Sequence, residues 1–284
     1  MRRIFLLLVC SVCLFSIAFA QPFEKQVQSG LLADKRLSET SGLAASRMKP
    51  GCFWMHNDSG DSARLFLVNK DGQTEGVVYF NEKVTDCEDI ASGIGYGRAK
   101  SYVYLGDIGD NKGTRNNIAV YIFKEQELMD GLAQQHVYQY KKTILEYEDR
   151  SKDAEALMID PIDSVLYIVS KRELNVHVYV ASLKDVFQKE KVTLRLAATL
   201  PCAFITAGDI SKDGSEVLLR NYGTIFYWKR EGKEHLTQTF QRPAILIPYT
   251  QEKQGEAIGF ADDNSGFYTT GEGEHAPLFF FKRK

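Results

Sequence analysis

Asp86-Cys87-Glu88-Asp89-Ile90-Ala91 and Asp153-Ala154-Glu155-Ala156-Leu157-Met158 are two copies of one pattern, a short strand of small and apolar residues led by acids. Three more stretches fit it: Glu39-Thr40-Ser41-Gly42-Leu43-Ala44, Thr206-Ala207-Gly208-Asp209-Ile210-Ser211 and Gly255-Glu256-Ala257-Ile258-Gly259-Phe260. The copies recur at roughly 50 residues, in the range where repeats signal propellers or solenoids. A second, more aromatic strand follows each opening and ends in a polar cluster, at 56–61, 106–111, 170–173, 220–223 and 271–275. Third strands are expected at 64–68, 118–123, 176–181, 224–228 and 277–281. Turn pairs such as Asp71-Gly72 and Asp213-Gly214 separate the apolar runs.

Fourth strands are expected for the first four units, at 76–80, 136–147, 192–200 and 243–248. The fifth unit has none before Lys284, while residues 24–32 form a spare β-like segment. A propeller closes its ring when an N-terminal strand completes the last sheet, so the missing and spare pieces match. The fold expected is therefore an all-β, five-bladed β-propeller, with six blades as the alternative if residues 88–155 hide another. A β-sandwich would leave the repeated acid-led strands unexplained. Residues 125–135 and 183–189 read as short helices inserted between strands.

Arg2 and Arg3, the apolar stretch from Ile4 to Ala18, and Ala18-Phe19-Ala20 have the order of a secretory signal peptide. The expected division is a signal peptide over residues 1–20, cleaved after Ala20, and one propeller domain over 21–284. The product is then secreted or periplasmic, with no stable membrane insertion. Loss of the two arginines takes the formal charge from −2 to −4, which offers nothing to nucleic acid or to an anionic membrane. The domain keeps Cys52, Cys87 and Cys202, too few for more than one disulfide and without metal-type spacing. They read as buried small apolar residues.

Neighbouring strands of a blade run antiparallel, so the start of each first strand and the end of each second strand share one face of the disc. This gathers Glu39, His56, Asp58, Glu88, Asp89, Asp107, Asp110, Glu155, Lys171, Arg172, Asp209, Arg220, Glu256 and Glu272 around one mouth of the central channel. Carboxylates crowded in a low-dielectric channel stay ionised only if something offsets their repulsion. Three solutions exist: a hard cation such as Ca²⁺, the neighbouring Lys171, Arg172 and Arg220, or protonation of some acids. Glu88, Asp107, Asp110 and Glu155 are the candidate metal ligands. Asp and Asn in these turns also suit Asx-type bonds to their own backbone, and acids leading first strands suit ties between blades. No nucleophile elbow, zincin, Walker or EF-hand pattern is present.

The segments Trp54–Gly60, Asp86–Ala91, Gly106–Asn111, Glu155-Ala156-Leu157 and Gly255–Ile258 together resemble a family of secreted bacterial β-propeller proteins of largely uncharacterised activity. The resemblance spans nearly all of residues 21–284 and implies export and a propeller fold, but no particular activity. Members often carry Trp where this chain has Cys87. By architecture alone, the acid-ringed channel is also similar to calcium-dependent propeller hydrolases of the lactonase and phytase kinds, and to five-bladed glycosidases. The leading expectation is an exported propeller binding Ca²⁺ or a small polar ligand at the mouth. A hydrolase of a sugar, lactone or phosphoester using the same carboxylates is the second. A non-enzymatic scaffold for an envelope protein partner is the third.

Overall fold

The computed structural model describes residues 21–97, 101–129 and 133–284, so the expected leader lies outside the described residues. The chain opens on β1 (Val27–Leu31). The first unit follows as β2 (Thr40–Ala45), β3 (Cys52–Asn57), β4 (Arg64–Asn69) and β5 (Thr74–Phe80). The second comprises β6 (Cys87–Ile94), β7 (Ser101–Asp107), β8 (Ile118–Lys124), α1 (Glu125–Met129), β9 (Gln135–Val137) and β10 (Lys141–Tyr147). The third comprises β11 (Ala154–Asp160), β12 (Val165–Ser170), β13 (Val176–Ser182), α2 (Leu183–Gln188) and β14 (Lys191–Leu200). Then come β15 (Ile205–Ile210), β16 (Glu216–Asn221), β17 (Ile225–Lys229), α3 (Leu236–Thr239) and β18 (Ile245–Ile247). The last unit is β19 (Ala257–Phe260), β20 (Gly266–Thr270) and β21 (Pro277–Lys282).

Each unit is an antiparallel meander, and β1 pairs with β21 to complete the last sheet. The second and third units are joined at their outer edges by a parallel pairing of β10 with β14, which makes one eight-stranded sheet. The segment expected as one strand at 136–147 is divided. Only β10 belongs to its own unit, while β9 runs parallel to β5 and covers the outer edge of the first unit. This arrangement shields backbone N–H and C=O groups that an edge strand would expose.

The first strands pack against one another in a cycle, β2 to β6 to β11 to β15 to β19 and back to β2. The core is divided in the same way, into clusters that each bridge two successive units. Trp54 and Leu65 meet Leu105 and Phe123; Tyr104 and Val120 meet Leu157 and Ile168; Met158 and Val169 meet Val217 and Leu219. Leu218 and Tyr227 then meet Phe260 and Phe281, and Leu278 and Tyr268 return to Phe53 and Leu43. Every sheet is thus covered on both faces. That is why β11 and β15 are buried at every residue, and β16 at all but Asn221, rather than at alternate ones. The molecule is all-β and propeller-like. Gly214, at φ 76°, closes the Asp213-Gly214 turn expected from the sequence. Cys52, Cys87 and Cys202 are buried and free, and no described helix is long and apolar enough to cross a membrane.

Asp89 ties the interior together. One carboxyl oxygen accepts the Ile90 N–H at 2.8 Å; the other accepts Leu157 N–H at 2.8 Å from β11 and Gly208 N–H at 3.4 Å from β15. Asp209 repeats the device, accepting Ile210 N–H and, from β19, Phe260 N–H, both at 2.8 Å. Burial raises both carboxyls above the usual range, Asp209 to about 6. Asp89→Ala should cost about 2–4 kcal/mol, because it strands buried N–H donors on three strands. Urea denaturation measures it, and a loss below about 1 kcal/mol would show that these ties are dispensable.

Candidate functional site

The acids converge because the first strands are kinked at matching places. The register slips by one residue between Thr40 and Gly42, Cys87 and Asp89, Ala154 and Ala156, and Ile205 and Ala207. The residues left unpaired are Ser41, Glu88, Glu155 and Thr206, and Glu256 stands just before β19. A bulge bends its strand and re-aims one side chain. Ser41 and Thr206 use this to donate hydroxyl bonds to the carbonyls of Glu88 (2.8 Å) and Gly255 (3.0 Å). The glutamates at the same place have no such donor. Their carboxyls stay at the mouth.

Two groups of acids have ligand oxygens within 4.8 Å of one another: Asp58, Asp86 and Glu88, and Glu88, Asp153 and Glu155. Glu88 belongs to both. Close approach depends on Gly109, where an added Cβ would lie 2.3 Å from Glu88 Oε1 and 2.5 Å from Asp86 Oδ2. Positive charge is unevenly shared. Lys171 pairs with Glu155, and Arg172 pairs with Asp153 and reaches Asn111. Among the described residues no ion pair reaches Asp58, Asp86 or Glu88.

Burial, then repulsion from Glu155, pushes Glu88 far above the usual carboxylate range. Burial raises Glu155 to about 8 against the pull of Lys171, and raises Asp58 to about 6. Asp86 moves up for the same first reason, with Asp153 adding to it against Arg115. Across the mouth, burial and a hydrogen bond with Glu256 raise Glu272 to about 8. Tyr222 donates to Glu256 at 2.6 Å, and Lys171 Nζ stands 3.4 Å from the Tyr222 hydroxyl.

The other sequence candidates are placed as follows. Glu39 is exposed on the rim, and its carbonyl accepts Asp58 N–H at 2.9 Å. His56 is buried beneath the rim, with Nδ1 2.8 Å from the Asn57 carbonyl and no partner at Nε2; burial lowers it to about 4, so it is neutral at pH 7. Asp107 accepts Thr85 and Asp86 N–H at 3.1 Å and pairs with Arg115 at 2.7 Å. Asp110 accepts Arg115 N–H at 2.7 Å. Arg220 is fully buried, pairing with Glu252 at 3.1 Å and donating to the Ala257 carbonyl at 2.9 Å, which stitches β16 to the last unit. Asp209 lies in the interior with Asp89.

Asp86 and Asp153 join the mouth as well, beyond the residues expected there from sequence. Their signal was present: Asp-x-Glu occurs at both openings, and the bulge brings both of its acids to the mouth. At the opposite end stands Glu125, in sequence only the start of an expected helix. It is wholly buried and accepts from the Ser46 hydroxyl at 2.6 Å, Arg47 N–H at 3.0 Å, Trp54 Nε1 at 3.0 Å and the Ser101 hydroxyl at 2.6 Å.

No protein-family model matches the chain, and no curated protein does. Among solved structures it is similar to XC5397, a gluconolactonase from Xanthomonas campestris. The TM-score is 0.50 at 10% identity, covering 86% of this chain and 72% of that one. At that identity the likeness concerns the fold alone.

A carboxyl raised in the folded state keeps a proton that the unfolded chain has lost, so stability falls as pH climbs from its ordinary value toward its folded one. For Glu155 and Glu272 that window runs from 4.5 to about 8. Depressed His56 acts oppositely, but only below its ordinary 6.5. EDTA-treated protein should therefore lose melting temperature steadily from about pH 6.5 to 8. A rise across that interval would contradict the protonated mouth.

Proposed function

We propose that the chain is an exported five-bladed β-propeller whose channel mouth binds a divalent cation, Ca²⁺ by its donor set, together with a small polar ligand. The blade count rests on the cyclic packing of the first strands and on the matching cycle of core clusters. The observation that carries the cation is the imbalance at the mouth. Glu155 and Asp153 have cations of their own, whereas Asp58, Asp86 and Glu88 converge with none. Hard carboxylate oxygens suit Ca²⁺, which takes six to eight oxygen ligands and would draw the rest from carbonyls and water. Asp58, Asp86 and Glu88 would hold it, with Glu155 and Asp153 behind Glu88. Binding would displace the protons that burial keeps there, so affinity would rise with pH.

A second reading is hydrolysis of a lactone or related ester at the same mouth. It is favoured by the fold likeness to a gluconolactonase and by acid groups on both sides of the opening. A bound cation there would act as a Lewis acid toward the carbonyl oxygen. Tyr222 and Glu256 would orient the ring, and the protonated carboxyl of the Glu256–Glu272 pair would supply a proton to the leaving oxygen.

EDTA-treated protein should gain several degrees of melting temperature with Ca²⁺ and less with Mg²⁺. A ligand at a hundred times its Kd contributes about 2.7 kcal/mol. Glu88→Gln and Gly109→Ala should abolish the gain, the second by driving two carboxylates apart. No shift with either ion in the unaltered protein would refute the cation site. Glucono-1,5-lactone hydrolysis, followed by proton release above the spontaneous rate, tests the second reading. Its dependence on Ca²⁺ and loss in Glu88→Gln are expected, and no turnover with Ca²⁺ bound would leave a binding protein.

A further inference from the structure

Two residues ahead of each re-aimed position stand Glu39, Asp86, Asp153, Phe204 and Gln254, which the strand registers make equivalent. In four of the units this residue's carbonyl accepts an N–H from just beyond the second strand: Asp58 (2.9 Å), Gly109 (3.1 Å), Lys171 (2.9 Å) and Glu272 (3.1 Å). Phe204 departs from the pattern. Its own N–H turns back to the Lys171 carbonyl of the preceding unit at 2.9 Å, with φ at 57°, a left-handed backbone that Gln254 shares at φ 40°. Its side chain is 53% exposed and, among the described residues, makes no ring contact and joins no core cluster.

An aromatic residue in the left-handed region is a backbone outlier, and an exposed ring forgoes burial as well. Hydrogen bonds at Phe204 N–H and the Ala203 carbonyl hold this backbone, but nothing inside the molecule covers the ring, and residues held in such conformations cluster at ligand clamps. Phe204 is bracketed by mouth residues. Its N–H is fixed to Lys171, and the carbonyl of Ala203 before it accepts from Asn221 Nδ2 at 3.0 Å, beside Tyr222. Lys171 Nζ lies 5.5 Å from the Tyr222 ring centre, so the two flanking loops meet at the same rim. The equivalent positions of the first three units carry acids. The rim is therefore anionic on one side and aromatic on the other.

We propose that Phe204 is a stacking platform that positions a sugar-like ring in the mouth. A pyranose-type molecule has a C–H face for the Phe204 ring and hydroxyls at its edge for the Tyr222 and Glu256 oxygens and for the acids opposite. A flat aromatic ligand would leave those carboxylates unpaired, and an acyclic polyol has no face to stack. The inference rests on the reading of the mouth as a ligand site and names its ligand class and a specificity residue.

The test is saturation-transfer NMR with methyl glucopyranoside, methyl galactopyranoside and methyl mannopyranoside, on the whole protein with Ca²⁺ present. At least one glycoside should bind the unaltered protein, with transfer strongest at protons of one ring face. Phe204→Ala and Phe204→Gly should weaken that binding tenfold or more, while Phe204→Trp keeps it. Phe204→Gly should also raise melting temperature by a few degrees, since glycine adopts the left-handed backbone freely. Absence of binding by all three glycosides would overturn the proposal, as would unchanged affinity in the alanine and glycine variants. A lower melting temperature for Phe204→Gly would mark the ring as structural and overturn it too. The Ca²⁺-dependent melting shift of the unaltered protein is read separately, so failure of the cation site is distinguishable from failure of Phe204.

Discussion

Covering both faces of every sheet with the next sheet forces the first strands together around one axis, and the rest of the structure follows from that crowding. Only small side chains fit where these strands face one another, which accounts for Gly42, Ala44, Ala91, Ala156, Ala207 and Gly259 along them. A Cβ on Gly259 would lie 2.5 Å from the Leu43 carbonyl, so one strand comes within contact of the next. Where a polar side chain does enter, as with Asp89 and Asp209, it must satisfy itself on the neighbours' backbone. Those carboxyls thereby become cross-braces between units distant in sequence.

The same convergence concentrates charge at one end. A bulge at the start of four first strands turns a side chain toward the mouth, and evolution has filled those positions in two ways. Hydroxyls at Ser41 and Thr206 lock onto the next backbone and stay neutral. Glutamates at Glu88 and Glu155 bring charge that burial makes expensive. Lys171 and Arg172 neutralise part of it on the third unit, and protonation takes some of the rest. The first and second units retain a deficit of positive charge. A fold maintained for stability alone would have little reason to keep Asp58, Asp86 and Glu88 converged without a counter-charge.

Rigidity at this mouth comes from the surrounding loops. Asp107, Asp110 and Arg115 hold the turn that carries Gly109, while Arg220, Glu252 and Tyr249 brace the opposite side through buried contacts. Acids that resemble ligands in sequence thus divide into those facing the opening and those building the walls behind it. Preorganised donors of this kind lose little freedom on binding.

The amino-acid sequence sufficed for the all-β character and the strand that completes the last sheet, because each is a local pattern of apolar runs and turn residues. It also determined which end of the channel would be polar, since antiparallel meanders bring strand starts and ends to one face. Fine division among the acids was not legible there. Asp86 and Asp107 look alike in sequence, yet one stands beside Glu88 and the other is occupied by two backbone N–H groups and Arg115. The division of residues 136–147 between two sheets was equally hidden, because parallel edge pairing leaves no local signature. Packing in three dimensions settles these matters: which carboxylate meets a cation, an N–H or another carboxylate depends on side chains brought near from dozens of residues away.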